Sequence, residues 1–246
     1  MFATAKRYWK TGIDVVPEFL SRSECAALSS NIQQYRHSHH LSVVQRRGPV
    51  RPLQYAVIDG ASFDAVLSNG SDLVAQVQAQ LEGTCGYTLA LIDDLQAARN
   101  INIMAPGGQY QWHYDRNLVT AVVYLNSVDG GQTEFYPNYR LRVPGEHPLA
   151  VQQALDQWLL ARPIRNLLGS RLAIAPTTGT LVAFRGNRTL HSVRPVEGNK
   201  ERISLVLAFD RPRARRTRAS LNAYLYEPGP SPDVADADSV PDTAAA

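Results

Sequence analysis

The chain is poor in the features that define several protein classes. It has only two cysteines, Cys25 and Cys85, in 246 residues. That count excludes a disulfide framework and offers no zinc spacing. Both thiols read as reduced and mostly apolar in role. No apolar run is long enough to cross a membrane, and the basic start (Lys6, Arg7, Lys10) is not followed by an apolar stretch. The expectation is a chain without a secretory leader, working in a reducing cytoplasm. Charge of one sign is also scarce: 25 Lys+Arg against 22 Asp+Glu leave +3. A broad nucleic-acid footprint is therefore not expected. The uneven part is local, with Arg211, Arg213, Arg215, Arg216 and Arg218 in one segment and Asp233, Asp236, Asp238 and Asp242 in the tail.

What is present suits one generous domain, residues 1–226, with 44% hydrophobic residues. A Pro-, Asp- and Ala-rich tail, 227–246, reads as disordered. Gly12 to Val16 predicts a short strand. Ser21 with Glu24 forms a capping box that opens a helix through Cys25, Leu28, Ile32 and Tyr35, with Leu20 and Cys25 as a staple. His37, His39 and His40 then read as a solvated turn, and Arg46, Arg47 and Arg51 as a loop. Gln54 to Ile58 is strand-like. A second helix is expected over 71–82, with Leu73, Val74, Val77 and Leu81 inward and Gly83 as its stop.

From Tyr87 the period changes to two. Strands are predicted at 89–92, 99–104, 109–113, 118–125, 132–136, 180–184, 190–193 and 202–209, punctuated by Gly, Pro and Asn. The fold class is thus mainly β with flanking helices. Residues 139–176 interrupt the pattern. Their middle, Pro148 to Leu160, carries Val151, Ala154, Leu155, Trp158 and Leu159 at helical spacing, a helical insertion expected over one end of the sheet, near the mouth of the site.

The chemistry centres on His113-Tyr114-Asp115. Residues two apart on a strand share a face, so an imidazole and a carboxylate meet one point. Alone, an H-x-D tripeptide is common by chance. His191 is the best third ligand, and two histidines plus one carboxylate leave the opposite face of a metal open, as in non-haem Fe(II) oxygenases. Arg202 follows eleven residues later, with Ser204 on the same face. A buried Arg demands a carboxylate. The pair therefore suggests a diacid co-substrate that chelates the metal at one end and meets Arg202 at the other.

Six ordered blocks carry a resemblance: 102–115, Val122 to Asn126, Gly130 to Pro137, Phe184-Arg185-Gly186, His191 to Val196 and Arg202-Ile203-Ser204. Over roughly 87–210 the chain resembles the prolyl 4-hydroxylase-like branch of the Fe(II)/2-oxoglutarate oxygenases. The resemblance implies a double-stranded β-helix core, a jelly-roll and cupin-like fold. It implies His113, Asp115 and His191 as iron ligands and Arg202 on the distal carboxylate of 2-oxoglutarate. It further implies Tyr124 and Ser204 beside that carboxylate, and Asn102 and Tyr110 as contacts to co-substrate or substrate. O2 would be the oxidant, with ascorbate as an accessory reductant. Three features depart from the branch: it often has Lys at the Arg202 position, the gap after His191 is long, and 139–176 has no clear counterpart.

The implied activity is oxidation, foremost hydroxylation, of an unactivated C–H bond in a small molecule such as an amino acid or natural-product intermediate, releasing succinate and CO2. Asp115 argues against halogenation, since related halogenases lack that carboxylate. Arg116, Arg140, Arg142, Arg185, Arg188 and Arg194, clustered in sequence around the site, either favour an anionic substrate or form a solvated rim. A peptidyl prolyl hydroxylase, a non-catalytic metal-binding jelly roll and a nucleic-acid repair oxygenase are the alternatives. The last rests on the Arg211–Arg218 cluster alone. Oligomeric state is not legible in the sequence.

Overall fold

The computed structural model describes residues 2–47, 52–67, 70–115, 117–142 and 149–212. The Arg213–Arg218 part of the basic cluster, Arg51, Arg116 and the tail lie outside the described residues. Helix α1 (Phe2–Thr11) precedes strand β1 (Ile13–Val16); α2 (Arg22–Ser38) is followed by the hairpin β2 (Ser42–Arg47) and β3 (Pro52–Ile58). Helices α3 (Gly60–Val66) and α4 (Gly70–Cys85) lead through β4 (Ala90–Leu91) and α5 (Leu95–Ala98) into the β region. That region comprises β5 (Arg99–Met104), β6 (Tyr110–His113), β7 (Val119–Tyr124), β8 (Thr133–Tyr136), helices α6 (Leu149–Leu160) and α7 (Arg162–Leu168), β9 (Leu172–Ile174), β10 (Leu181–Phe184), β11 (Leu190–Val193) and β12 (Arg202–Asp210).

Among the described residues the strands form two antiparallel sheets. The larger runs β1-β10-β7-β12-β5-β3-β2, with β4 on β12; the smaller runs β6-β11-β8-β9. Two facing sheets of this kind are the jelly-roll arrangement. All six residues of β7 are buried because both its faces are covered. Val119, Ala121 and Val123 join Ile101, Ile103, Leu205 and Leu207 in a core shared with Ile32, Phe63 and Val77 of the helices. Val122 and Tyr124 point the other way, into the space between the sheets, where they meet Phe135, Val182 and Phe184.

The capping box forms as expected: the Ser21 hydroxyl accepts from the Glu24 amide, and the Glu24 carboxylate accepts from the Ser21 amide. Both cysteines are free and buried. Several local expectations need correction. Residues 2–11, not foreseen as a helix, form α1, and 60–66 form α3. His37 belongs to α2 and His39 caps it, stacked on Tyr35 at 3.9 Å, rather than lying in a separate turn. Arg46 and Arg47 are on β2, an edge strand, not in a loop. Gly83 does not stop α4. Burial of Leu81 and Cys85 carries the helix onward, and Gly86, at φ +72°, ends it in a conformation open to glycine.

The insertion holds α7 and β9 besides the expected helix, and it sits elsewhere than expected. Leu155, Leu159, Leu160 and Ile164 pack with Trp112, Tyr136 and Leu190. Those three strand residues alternate with His113, Phe135 and His191, so α6 and α7 cover the outer face of the smaller sheet rather than one end of it. Val151 and Trp158, assigned to the inward stripe of α6, are 46% and 52% exposed.

Candidate active site

His113, at the end of β6, and His191, in β11, are direct partners in the antiparallel ladder. Their rings lie 4.1 Å apart. His113 Nδ1 is 2.7 Å from the Gln111 carbonyl and His191 Nδ1 3.1 Å from the Thr189 carbonyl. A carbonyl can only accept, so each Nδ1 carries the proton and each Nε2 presents a lone pair. Asp115 Oδ1 stands 3.7 Å from His113 Nε2 and 3.6 Å from His191 Nε2. One ligand atom from each residue lies within 4.8 Å of the others. The set suits one divalent ion with an open face.

Asp115 is fixed from behind. Its amide donates to the Gly186 carbonyl at 3.1 Å. Its Oδ2 accepts from the Thr120 hydroxyl at 2.5 Å. Asn117 Nδ2 donates to that same hydroxyl oxygen at 2.8 Å, which directs the Thr120 proton to Asp115. Oδ1 is thereby left facing the histidines. A Cβ on Gly186 would stand 2.9 Å from Asp115 Cβ and 2.6 Å from Thr120 Oγ1, so only glycine lets the turn approach this closely.

Deeper between the sheets lies Arg202, 3% exposed. Its Nη1 donates to Ser204 Oγ and its Nη2 to Thr133 Oγ1, both at 3.1 Å. The guanidinium lies 5.0 Å from the Tyr124 ring, and the Tyr124 hydroxyl is 2.7 Å from Thr133 Oγ1. Its Nε has no partner among the described residues, and no described carboxylate pairs with it. Glu201, its neighbour in sequence, binds Arg36. Burial lowers the Arg202 pKa, with Tyr124 opposing the shift. A buried, uncompensated guanidinium is costly unless it meets an anion, and its hydroxyl-lined surroundings suit a carboxylate.

The remaining predicted positions divide. Asn102, Ser204 and Tyr124 occupy one row across β5, β12 and β7. Asn102 Oδ1 is buried without a partner among the described residues. Tyr110 lies at the rim of this space, its hydroxyl 3.2 Å from that of Tyr55 and its ring 4.6 Å from that of His113. Sequence reasoning missed Thr133, Thr120, Asn117 and Asn100. Asn100 is 1% exposed, shares the interior face with Asn102, and has neither side-chain atom paired among the described residues. Strand parity could have put Thr120 on the same face as Tyr124, but its meeting with Asp115 depends on the turn between them.

Comparison with known proteins follows this geometry. Residues 99–210 match the 2OG-Fe(II) oxygenase superfamily. No curated protein matches the chain. Among solved structures, the non-haem α-ketoglutarate-dependent carbocyclase SnoK from nogalamycin biosynthesis is 16% identical, with TM-score 0.68 over 92% of this chain and 90% of that one. The epimerase SnoN in complex with Fe3+, α-ketoglutarate and nogalamycin RO is 19% identical, with TM-score 0.61 over 100% and 91%. A prolyl-4-hydroxylase from Pseudomonas putida is 20% identical, with TM-score 0.56 over 85% and 98%. The matched segment, residues 99–210, holds the His113, Asp115 and His191 triad and Arg202, and its match to the 2OG-Fe(II) oxygenase superfamily indicates an iron- and 2-oxoglutarate-dependent oxidoreductase.

Proposed function

We propose that His113, Asp115 and His191 hold the iron, that Arg202 with Ser204, Thr133 and Tyr124 binds the distal carboxylate of 2-oxoglutarate, and that the chain oxidises, foremost hydroxylates, a C–H bond of a small molecule. The observation that carries this reading is the buried Arg202, charged and without a carboxylate among the described residues, in the same inter-sheet space as the triad. A purely structural metal would need no such anchor. Bound iron and 2-oxoglutarate supply the oxidising power, with O2 consumed and succinate and CO2 formed.

The protein's own part is orientation and exclusion of water. The Gln111 and Thr189 carbonyls hold the two imidazoles as Nε2 donors. Thr120 and Asn117 hold Asp115 in a single pose. Phe184 and Phe135, whose rings lie 4.6 and 6.4 Å from that of His191, keep its side of the site apolar. Asn100 and Asn102, on the strand that runs from the Arg202 row toward the metal end, carry buried polar atoms unpaired among the described residues and would hydrogen-bond the body of the co-substrate or the substrate.

The test is an anaerobic titration of metal-free protein with Fe(II) and 2-oxoglutarate, followed by the visible charge-transfer band of the chelated co-substrate. A band in the wild type that is lost in H113A and needs far more 2-oxoglutarate in R202A is the expected result. Tightly bound iron without a band would instead make the protein a non-catalytic metal-binding jelly roll.

A further inference from the structure

One part of the rim beside the metal site carries more positive charge than the described carboxylates there balance. The turn between β10 and β11 is fastened to the site through the Gly186 carbonyl, which accepts the Asp115 amide. Arg185 and Arg188 project from this turn. The segment after β8 faces it and is tied to it twice: the Arg140 amide donates to the Arg188 carbonyl at 3.0 Å, and Arg188 Nη1 donates to the Arg140 carbonyl at 2.9 Å. Arg142 follows two residues later and is exposed.

These four guanidiniums are not equivalent. Arg140 gives Nε and Nη2 to Asp156 and lies 5.0 Å from the ring of Tyr114, the residue between His113 and Asp115. Arg185 gives Nη1 to Asn138 Oδ1 at 2.8 Å, packs 4.7 Å from the Trp9 ring, and has a buried Nε unpaired among the described residues. Arg188 has only the Arg140 carbonyl, and Arg142 has no hydrogen-bond partner among the described residues. No described carboxylate pairs with Arg142, Arg185 or Arg188, and Asp156 is taken by Arg140. The group also repels itself: burial and then Arg188 push the pKa of both Arg142 and Arg185 down. Arg194, which the sequence grouped with them, is not part of this rim; it pairs with Glu134.

We propose that this rim is the recognition site for an oxyanion group, carboxylate or phosphoryl, on the primary substrate. Arg188 and Arg142 are the donors and Arg185 is a fixed charge behind them. This deepens the reading given above, because it presumes iron and co-substrate seated at the triad and Arg202. An anion held here would neutralise the cluster and fasten the substrate to the turn that the Gly186 carbonyl ties to Asp115.

The experiment is a calorimetric titration of the anaerobic protein, loaded with Fe(II) and 2-oxoglutarate so that Arg202 is occupied. Inorganic phosphate and acetate are added separately at low ionic strength. Saturable binding of at least one anion is expected, weakened about ten-fold or more in R142A/R188A. Phosphate alone would mark a phosphoryl group; acetate, with or without phosphate, a carboxylate. R142A alone, on an exposed side chain, carries the test if loss of Arg188 disturbs the turn. Binding of neither anion, or equal binding in wild type and variants, overturns the site. The charge-transfer band, recorded before each titration, reports on iron and co-substrate separately. Its absence would strike at that reading, while the same anion titrations of the metal-free protein still decide the rim.

Discussion

Thr120 stands behind Asp115, a proposed metal ligand, rather than at the metal position. Asn117 donates to its hydroxyl oxygen, so the hydroxyl proton goes to Asp115 Oδ2 and Oδ1 remains for the metal. T120V removes that proton at nearly constant volume and leaves Asp115 free to rotate. Fe(II) affinity is expected to fall roughly 10- to 100-fold, the usual effect of losing a partner of a metal ligand, with T120S keeping most of it. Anaerobic Fe(II) titration measures both. At Arg202 the expected loss is larger in kind, because its charge is the proposed anchor. Hydrogen bonds to charged groups contribute about 1.5–3 kcal/mol each, so R202A is expected to weaken 2-oxoglutarate binding at least ten-fold while leaving Fe(II) binding near the wild-type level.

At the scale of elements, the capping box of α2 and the burial of α6 make separate predictions. S21A removes the acceptor for the Glu24 amide and is expected to cost about 1 kcal/mol, read as a lower denaturation midpoint with unchanged slope. In α6, Leu159 is fully buried against Tyr136, Tyr139 and Leu190, whereas Trp158 is half exposed. L159A is expected to destabilise by roughly 2–5 kcal/mol, and W158A by far less. The opposite order would mean that the exposed face of α6 is covered in solution. Elements were unevenly legible. The long alternation of β5, β7 and β12 and the capping box are local signals, and their strands and helix stand close to where the sequence put them. β2 was hidden because its arginines look like loop residues, yet an edge strand tolerates charge. Gly83 reads as a helix stop by sequence, but burial of Leu81 and Cys85, a tertiary effect, holds the last turn beyond it.

For the whole molecule, a metal and co-substrate bound at the proposed site would be structural cross-links as well as reagents. Held as proposed, they would join β6 and β11 of one sheet to β12 of the other through His113, His191 and Arg202. Loading with Fe(II) and 2-oxoglutarate under anaerobic conditions should therefore raise the thermal midpoint, by about 2.7 kcal/mol of added stability at a hundred-fold excess over Kd. EDTA should reverse the shift, and R202A should lose the 2-oxoglutarate part alone. No helix among the described residues is long and apolar enough to cross a membrane.

The sequence by itself determined the two-sheet β class, the ordered blocks and the short-range pairing of His113 with Asp115, because strand parity and capping act over a few residues. Only the tertiary structure decided the rest. It made His191 the ladder partner of His113, set Thr120 and Asn117 behind Asp115, and buried Arg202 beside Thr133 with no described carboxylate. It moved α6 and α7 to the outer face of the smaller sheet, and it joined Arg140 to Arg188 at the rim. Each of these depends on strand register and on contacts across tens of residues, where a shift of one position turns a side chain to the opposite face.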